Sequence, residues 1–181
     1  MIRVFTIFTA LAVLLTACAP SSTPNRLGSD GKPLPQVYRI KNSDADEVQF
    51  RMLDAINSLR SAAGQPPVQF DARLNAAAAT HSRDMANQNR PWHFGSDGSS
   101  PIQRIQRAGF SGSLIGENIS ETYESELETL GAWMEKPDTR RIILSKEANL
   151  MGFAWFQERS GKLWWTLIMG SSSPTARGGN V

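Results

Sequence analysis

Cysteine is almost absent from the chain: Cys18 is the single one among 181 residues. One cysteine excludes an intrachain disulfide, so the fold must be held together by its core. A charge imbalance is missing too, because 19 basic and 17 acidic residues leave a net charge of only +2. That balance gives no electrostatic case for binding nucleic acid. The length predicts one domain with appendages.

A long membrane-spanning run is also missing. The apolar run Val4 to Leu15 follows the positive charge of Arg3 and is too short for a comfortable span, as is typical of a signal peptide. It ends in Leu15-Thr16-Ala17-Cys18, which resembles a bacterial lipobox, where the thiol is lipidated and the chain is cut just before it. We favour this interpretation over ordinary cleavage that leaves Cys18 as a free thiol.

Composition divides the chain into four regions. Residues 1–17 are predicted to be the lipoprotein signal peptide, and residues 18–42, rich in Pro, Ser, Gly and Asn, a flexible tether. Residues 43–170 carry the periodic apolar pattern of a folded domain. Residues 171–181 are predicted to be a disordered tail.

Apolar periodicity and capping residues predict five helices in the folded region. Asp71 is expected to cap the second helix, and Ser100 the third. The buried side of the third helix is predicted to be Ile102, Ile105 and Ala108. The first, fourth and fifth helices are predicted to span Ser43 to Ala63, Glu121 to Met134 and Asp138 to Leu144, with Glu124, Glu126 and Glu128 solvated on the fourth.

Two segments near the end, Asn149 to Gln157 and Leu163 to Gly170, are predicted to be strands joined by a turn at 158–162. Both strands are apolar on both faces. They are therefore expected to lie in a central sheet between two helical layers.

His81 falls on the inner stripe of the second helix, with Leu74, Ala77, Ala78 and Met85. We favour a core histidine hydrogen-bonded to backbone over a catalytic or ligand-binding role.

Glu117 is the residue around which a site is predicted. It lies in Gly116-Glu117-Asn118-Ile119, an apolar stretch in which an acid is expected to be partly buried. A buried acid needs a partner or a shifted pKa, because desolvation disfavours its charged form. The predicted partner is His93, in the loop 89–99, and the segment 133–144 is expected to form a third wall.

Four segments in order resemble the CAP superfamily of cysteine-rich secretory, antigen-five and pathogenesis-related proteins, in its bacterial branch. The resemblance covers roughly residues 45–170 and implies an α+β fold, a three-layer α-β-α sandwich. The segments are His81 to Ala86, His93 to Ser100, Gly116 to Ile119, and Trp133 with Pro137 to Arg140 and Ile143-Leu144.

The resemblance also implies a shallow cavity lined by two histidines and one or two glutamates, which binds a divalent metal in some members. His93 corresponds to the first histidine and Glu117 to the first glutamate. Thr139 stands where the second histidine would be, and Asn118 adjoins Glu117 in the expected cavity. Two secure donors are too few for zinc, so we expect no metal and no cofactor. A histidine at position 139 would supply a third donor if the family geometry is kept.

Three functions remain open. The first is a binding module at the cell envelope, with a lipid, small-molecule or protein partner at His93 and Glu117 and with the membrane as partner through Cys18. The second is a hydrolase or peptidase in which a His–Glu pair activates water; without a thiol nucleophile, we rank catalysis below binding. The third is a structural protein in which His93 and Glu117 form a buried tie.

We predict that Cys18 is lipidated and that the mature protein faces the periplasm or the exterior. Ala19 is not the aspartate that retains lipoproteins at an inner membrane, so the outer membrane is favoured in a Gram-negative host. Cell fractionation should show that Cys18→Ala releases the protein from the membrane pellet. A Cys18→Ala variant that is fully processed and still sediments with membranes would contradict the prediction.

Overall fold

A computed structural model describes residues 37–172 of the chain. The predicted signal peptide, Cys18 and most of the tether lie outside the described residues, as does the tail from residue 173 onward. Among the described residues, none of the helices has the length and apolar character needed to cross a membrane.

Five helices and four strands make up the described part. The helices are α1 (Ala45–Ala62), α2 (Ala72–Gln88), α3 (Pro101–Arg107), α4 (Glu126–Glu135) and α5 (Pro137–Ile143). The strands are β1 (Gln69–Phe70), β2 (Ser113–Thr122), β3 (Leu150–Gln157) and β4 (Leu163–Ser171), and a 3₁₀ turn at Asn42–Asp44 precedes α1.

The four strands form one mixed sheet in the order β1-β3-β4-β2, with β1 parallel to β3 and the other pairs antiparallel. One face packs on α2 and α3 through a small cluster that includes Leu74, Ile105 and Ile168. The other face packs on α1, α4 and α5 through a larger cluster built around Phe153 and Trp165. The predicted α+β sandwich with a central sheet between two helical layers is thus confirmed.

Capping and small residues explain how α2 comes to lie on the sheet. The Asp71 carboxylate accepts the backbone N–H groups of Arg73 and Leu74, as predicted, and begins the helix. Gly152 on β3 has no room for a side chain, because an added Cβ would lie 2.2 Å from the backbone of Leu74. Helix and strand therefore approach at backbone distance, and the predicted inner stripe of α2 is buried along its whole length.

Three sequence expectations are wrong. The fourth helix begins at Glu126 rather than Glu121, because Glu121 and Thr122 continue the pairing of β2 with β4 and Ser125 caps the helix. Glu126 is not solvated but 2% exposed, since its carboxylate accepts hydrogen bonds from Arg51 and Tyr38.

On α3, Ile102 is 52% exposed, and Arg104 is buried beside Ile105 in its place. One more difference lies at the N-terminal edge of the domain. The tether was predicted to reach residue 42, yet Tyr38 and Ile40 already pack against the larger cluster.

Candidate functional site

His93 is held in its place by backbone contacts of the loop 89–99. The loop leaves α2 through Asn89, which has a left-handed backbone. The Asp84 carboxylate then accepts both the N–H and the O–H of Ser96, at 2.7 and 2.6 Å. Arg104 of α3 donates to the carbonyls of His93 and Ser99 at 2.8 and 3.0 Å. The loop is therefore fixed from both neighbouring helices.

Glu117 reaches this loop from β2. It pairs with Ile168 across the sheet, and both side chains face α2 and α3. Its side chain is 1% exposed and lies 2.9 Å from His93 Nδ1. The predicted contact between His93 and Glu117 is confirmed, with the imidazole 51% exposed on its outer side.

Arg104 is the third member of the cluster. Its Nη2 group donates to both oxygens of Glu117, at 2.9 and 2.7 Å, and its side chain is 5% exposed. Burial alone would raise the pKa of Glu117, but the hydrogen bond from His93 and the charge of Arg104 outweigh it and hold that pKa below its usual value. The carboxylate is ionised at neutral pH.

His81 is fully buried beside the same carboxylate. Its Nε2 atom lies 3.0 Å from the carbonyl of Trp92, to which it donates, and 3.7 Å from Glu117 Oε1. The favoured interpretation, a core histidine bonded to backbone, is confirmed. Burial lowers the pKa of His81 more than the Glu117 carboxylate raises it, so the ring stays neutral at pH 7.

Asn118 and Thr139 meet each other on the opposite face of the sheet. Asn118 follows Glu117 on the strand and points the other way, where its amide donates to the Thr139 carbonyl at 3.1 Å. The Thr139 hydroxyl donates to the carbonyl of Trp133 at 2.5 Å. No hydrogen bond in the described part of the chain joins either residue to His93 or Glu117.

Sequence reasoning missed Arg104. The one clue in the sequence to a buried cation was Glu117, because a carboxylate buried in an apolar stretch needs a positive charge as well as a neutral imidazole. Arg104 lies next to Ile105, at the edge of the apolar side of α3. A charged residue in such a position is usually assigned to solvent.

The residues of this site do not suit a divalent metal. Both oxygens of Glu117 already accept hydrogen bonds from a guanidinium, whose positive charge also repels a cation. The hydroxyl of Thr139 is engaged with backbone in a different contact. Among residues 37–172 no group of three or more His, Cys, Asp or Glu side chains is arranged to hold a metal ion.

We predict that the protein binds zinc no more tightly than about micromolar, equivalent to about −8 kcal/mol. The structure also changes the expectation for Thr139→His. This variant should bind zinc hardly more tightly than the unmodified protein, because Arg104 remains hydrogen-bonded to both oxygens of Glu117. Calorimetry on the two proteins, with His93→Ala as the control, measures this. Tight zinc binding that His93→Ala abolishes would contradict the prediction.

The lowered pKa values of His81 and Glu117 both make the stability of the fold sensitive to acid. The pKa of His81 is lower in the folded chain, so stability falls as the pH drops below its unfolded value of 6.5. The pKa of Glu117 is also lowered. Its contribution is fully present above the unfolded value of 4.5 and is lost as the pH falls through the folded pKa.

We predict that Glu117→Gln costs about 3–5 kcal/mol at neutral pH, because it leaves Arg104 buried without its countercharge. The difference in unfolding free energy between Glu117→Gln and the unmodified protein should narrow as the pH falls below about 4.5, because the unfolded carboxylate then takes up a proton while the native one stays ionised down to its lower folded pKa. Urea unfolding across this pH range measures both effects. Glu121→Gln is the control, since its surface pair with Lys162 is expected to contribute at most about 1 kcal/mol. A difference in unfolding free energy between Glu117→Gln and the unmodified protein that does not depend on pH would contradict the prediction.

The sequence and the structure both match known proteins. The chain is 27% identical to YkwD of Bacillus subtilis over 128 residues, which cover 71% of this chain and 49% of YkwD. An extracellular protein of Bacillus anthracis with an SCP domain superposes with a TM-score of 0.65 at 20% identity, over 74% of this chain and 45% of that one. An outer surface protein of Borrelia burgdorferi gives a TM-score of 0.62 at 14% identity, over 75% of this chain and 98% of that one.

The chain thus spans about half the length of YkwD and of the Bacillus anthracis protein. Its match to a family, in contrast, covers most of the folded region. The profile of the cysteine-rich secretory protein family, CAP, matches residues 53–169, more than half of the 181 residues. The protein is therefore a member of the CAP family.

Proposed function

We propose that the protein is a lipid-anchored binding module of the bacterial envelope that takes its ligand at His93. The observation that carries this proposal is the half-exposed imidazole held by a buried carboxylate. Because Nδ1 is hydrogen-bonded to Glu117, Nε2 is the ring nitrogen left for a ligand. The ring is fixed in orientation before any ligand arrives, which lowers the entropic cost of binding.

Aromatic side chains flank this imidazole on both sides in the sequence. The rings of Trp92 and Phe94 lie 5.7 Å apart, and Phe94 is 49% exposed. The guanidinium of Arg90 lies 3.9 Å from the centre of the Trp92 ring. The exposed surface therefore offers an apolar area, a cation and a hydrogen-bonding nitrogen, a combination suited to an amphipathic ligand such as a lipid headgroup region.

The anchor and the relatives support the location. The lipobox-like segment ending at Cys18 would attach the chain to a membrane, with the tether between lipid and domain. The Bacillus anthracis relative is described as extracellular and the Borrelia burgdorferi relative as an outer surface protein. A binding module on a tether suits such a surface.

Hydrolysis is the second candidate, and the His–Glu pair is the observation that favours it. A carboxylate on Nδ1 orients an imidazole as a general base and leaves Nε2 to accept a proton. Water would have to be the nucleophile, because no nucleophilic side chain stands beside this base in the described part of the chain. In the described residues no Ser or Thr hydroxyl is hydrogen-bonded to His93, so binding is the better-supported function.

A purely structural tie is the third candidate. The burial of Glu117 favours a structural role, since its side chain is 1% exposed. The half-exposed ring of His93 counts against a purely structural role, because a structural hydrogen bond does not require one side of the ring to be open to solvent.

The two histidines of the chain make the test direct, since one is exposed and the other buried. Imidazole NMR signals of the purified Cys18→Ala chain are followed as lysophosphatidylglycerol micelles or soluble peptidoglycan fragments are added. We expect the His93 signals to shift to saturation with one probe while those of His81 stay in place. Phe94→Ala should weaken that binding about tenfold, equivalent to about 1.4 kcal/mol.

Phe50→Ala is the matched control, since Phe50 is an equally bulky exposed phenylalanine on α1. Casein incubated with the same protein tests hydrolysis, and cleavage that His93→Ala abolishes would favour the enzyme over the binder. Absence of both binding and cleavage would leave the structural tie as the function of the pair.

A further inference from the structure

The first described residues of the chain pack on the turn between β3 and β4, residues 158–162. Arg39 Nη1 lies 3.5 Å from the carbonyl oxygen of Glu158. Val37 packs on Gly161, where an added Cβ would come within 2.1 Å of the Val37 side chain. The chain that precedes Val37 carries the predicted lipid anchor, so the anchor is attached at this end of the sheet.

The same turn contacts the end of α2 and the end of β2. Lys162 Nζ donates to Asn89 Oδ1 at 2.9 Å and to Glu121 Oε1 at 2.8 Å. Asn89 begins the loop 89–99, so the start of that loop lies beside the point where the chain enters the domain. We call this region the anchor-side surface, and it comprises residues 37–39, 89–92, 121–123 and 158–162.

Apolar and aromatic side chains are exposed on and beside the anchor-side surface. Val37 is 39% exposed and Tyr123 is 51% exposed. The ring of Trp92 lies 5.7 Å from that of Phe94, which is half-exposed. Tyrosine and tryptophan are favoured at the boundary between water and lipid, because their rings are apolar and their polar groups can stay hydrated there.

Three arginines of this surface have no acidic partner. Arg39, Arg90 and Arg159 are exposed, and none of them forms an ion pair with a carboxylate within residues 37–172. The guanidinium of Arg90 lies 3.9 Å from the centre of the Trp92 ring and keeps its charge there. The donors of these arginines therefore remain available for phosphate groups outside the protein.

Acidic residues are the minority on the anchor-side surface. Glu121 and Glu158 lie 2.8 and 3.7 Å from Lys162, whose charge offsets one of theirs. Four basic and two acidic residues make the surface positive, and Glu124, just outside it, does not reverse the sign. The helix α4, in contrast, has three glutamates and no basic residue. The anchor-side surface is therefore the better match for an anionic partner.

We propose that the anchor-side surface docks on the anionic phospholipid surface of the membrane that holds the lipid anchor. The arginines contact headgroup phosphates, and the rings of Trp92 and Tyr123 lie at the boundary between headgroups and acyl chains. Because the anchor is attached at the same surface, it keeps the local concentration of lipid high there. This inference rests on the lipid anchor of the proposed function and adds an orientation, in which the loop that carries His93 lies beside the membrane.

The test uses the mature, lipidated full chain on vesicles whose acyl chains carry bromine, which quenches tryptophan fluorescence at short range. Flotation of the vesicles measures anchoring, and quenching of Trp92 measures docking. With phosphatidylglycerol in the vesicles, we expect quenching that high salt reverses, because salt screens the attraction between the arginines and the headgroups. With phosphatidylcholine alone, the chain should still float and should stay unquenched.

Two pairs of variants locate the contact. Trp92→Phe should abolish the quenching, and its matched control is Trp155→Phe, which changes a half-buried ring on β3 and should leave the quenching in place. Arg159→Gln should lower the ratio of docked to undocked chain about fivefold. Its matched control is Arg141→Gln, an exposed arginine of α5, which should leave that ratio unchanged.

Three results would overturn the proposal. They are a chain that floats with phosphatidylglycerol vesicles while Trp92 stays unquenched, equal quenching on phosphatidylcholine, and equal docking by Arg159→Gln and the unmodified protein. A chain that floats with neither kind of vesicle would overturn the anchor and this inference together. The NMR titration of His93 with soluble peptidoglycan fragments contains no membrane, so a failure to dock is distinguishable from a failure of the proposed ligand site.

Discussion

A desolvated carboxylate is the constraint on which this side of the molecule depends. Glu117 is buried under α2 and α3, and burying a charge without partners would be prohibitively costly. Arg104 and His93 supply the donors, and Arg104 also holds the carbonyls of His93 and Ser99. One ion pair thus fixes α3, the loop 89–99 and the edge strand relative to one another.

The same constraint fixes the register of β2. Three successive residues of β2 are each fixed by a different contact. Gly116 has no room for a side chain, because an added Cβ would come within 2.6 Å of Ile142. Glu117 accepts from Arg104 on one face of the sheet, and Asn118 donates to the Thr139 carbonyl on the other. A slip by one residue would turn the carboxylate toward the larger apolar cluster. Packing and charge on the two faces of the sheet therefore explain the motif Gly116-Glu117-Asn118, in which the glutamate and the asparagine make separate contacts.

Patterns that are local in the chain could be predicted from the sequence. The cap at Asp71, the inner stripe of α2 and the two-faced apolar strands follow from residues within a few positions of one another. The burial of Arg104 and Glu126 could not, because it depends on partners 13 and 75 residues away. Helical periodicity assigns a charged residue to solvent, and only the fold brings its countercharge close. The contact between His93 and Glu117 could be predicted because a buried acid requires a partner, whatever the fold.

Arginine at position 104 is required by geometry as well as charge. Its planar guanidinium sends two donors to the Glu117 carboxylate and two to the backbone carbonyls of the loop 89–99, while Nε faces neither group. A lysine carries the same charge but has three donors on one atom, so it cannot reach a carboxylate and two carbonyls in a plane. The planar shape of one side chain therefore connects the loop that carries the exposed histidine with the buried carboxylate of β2.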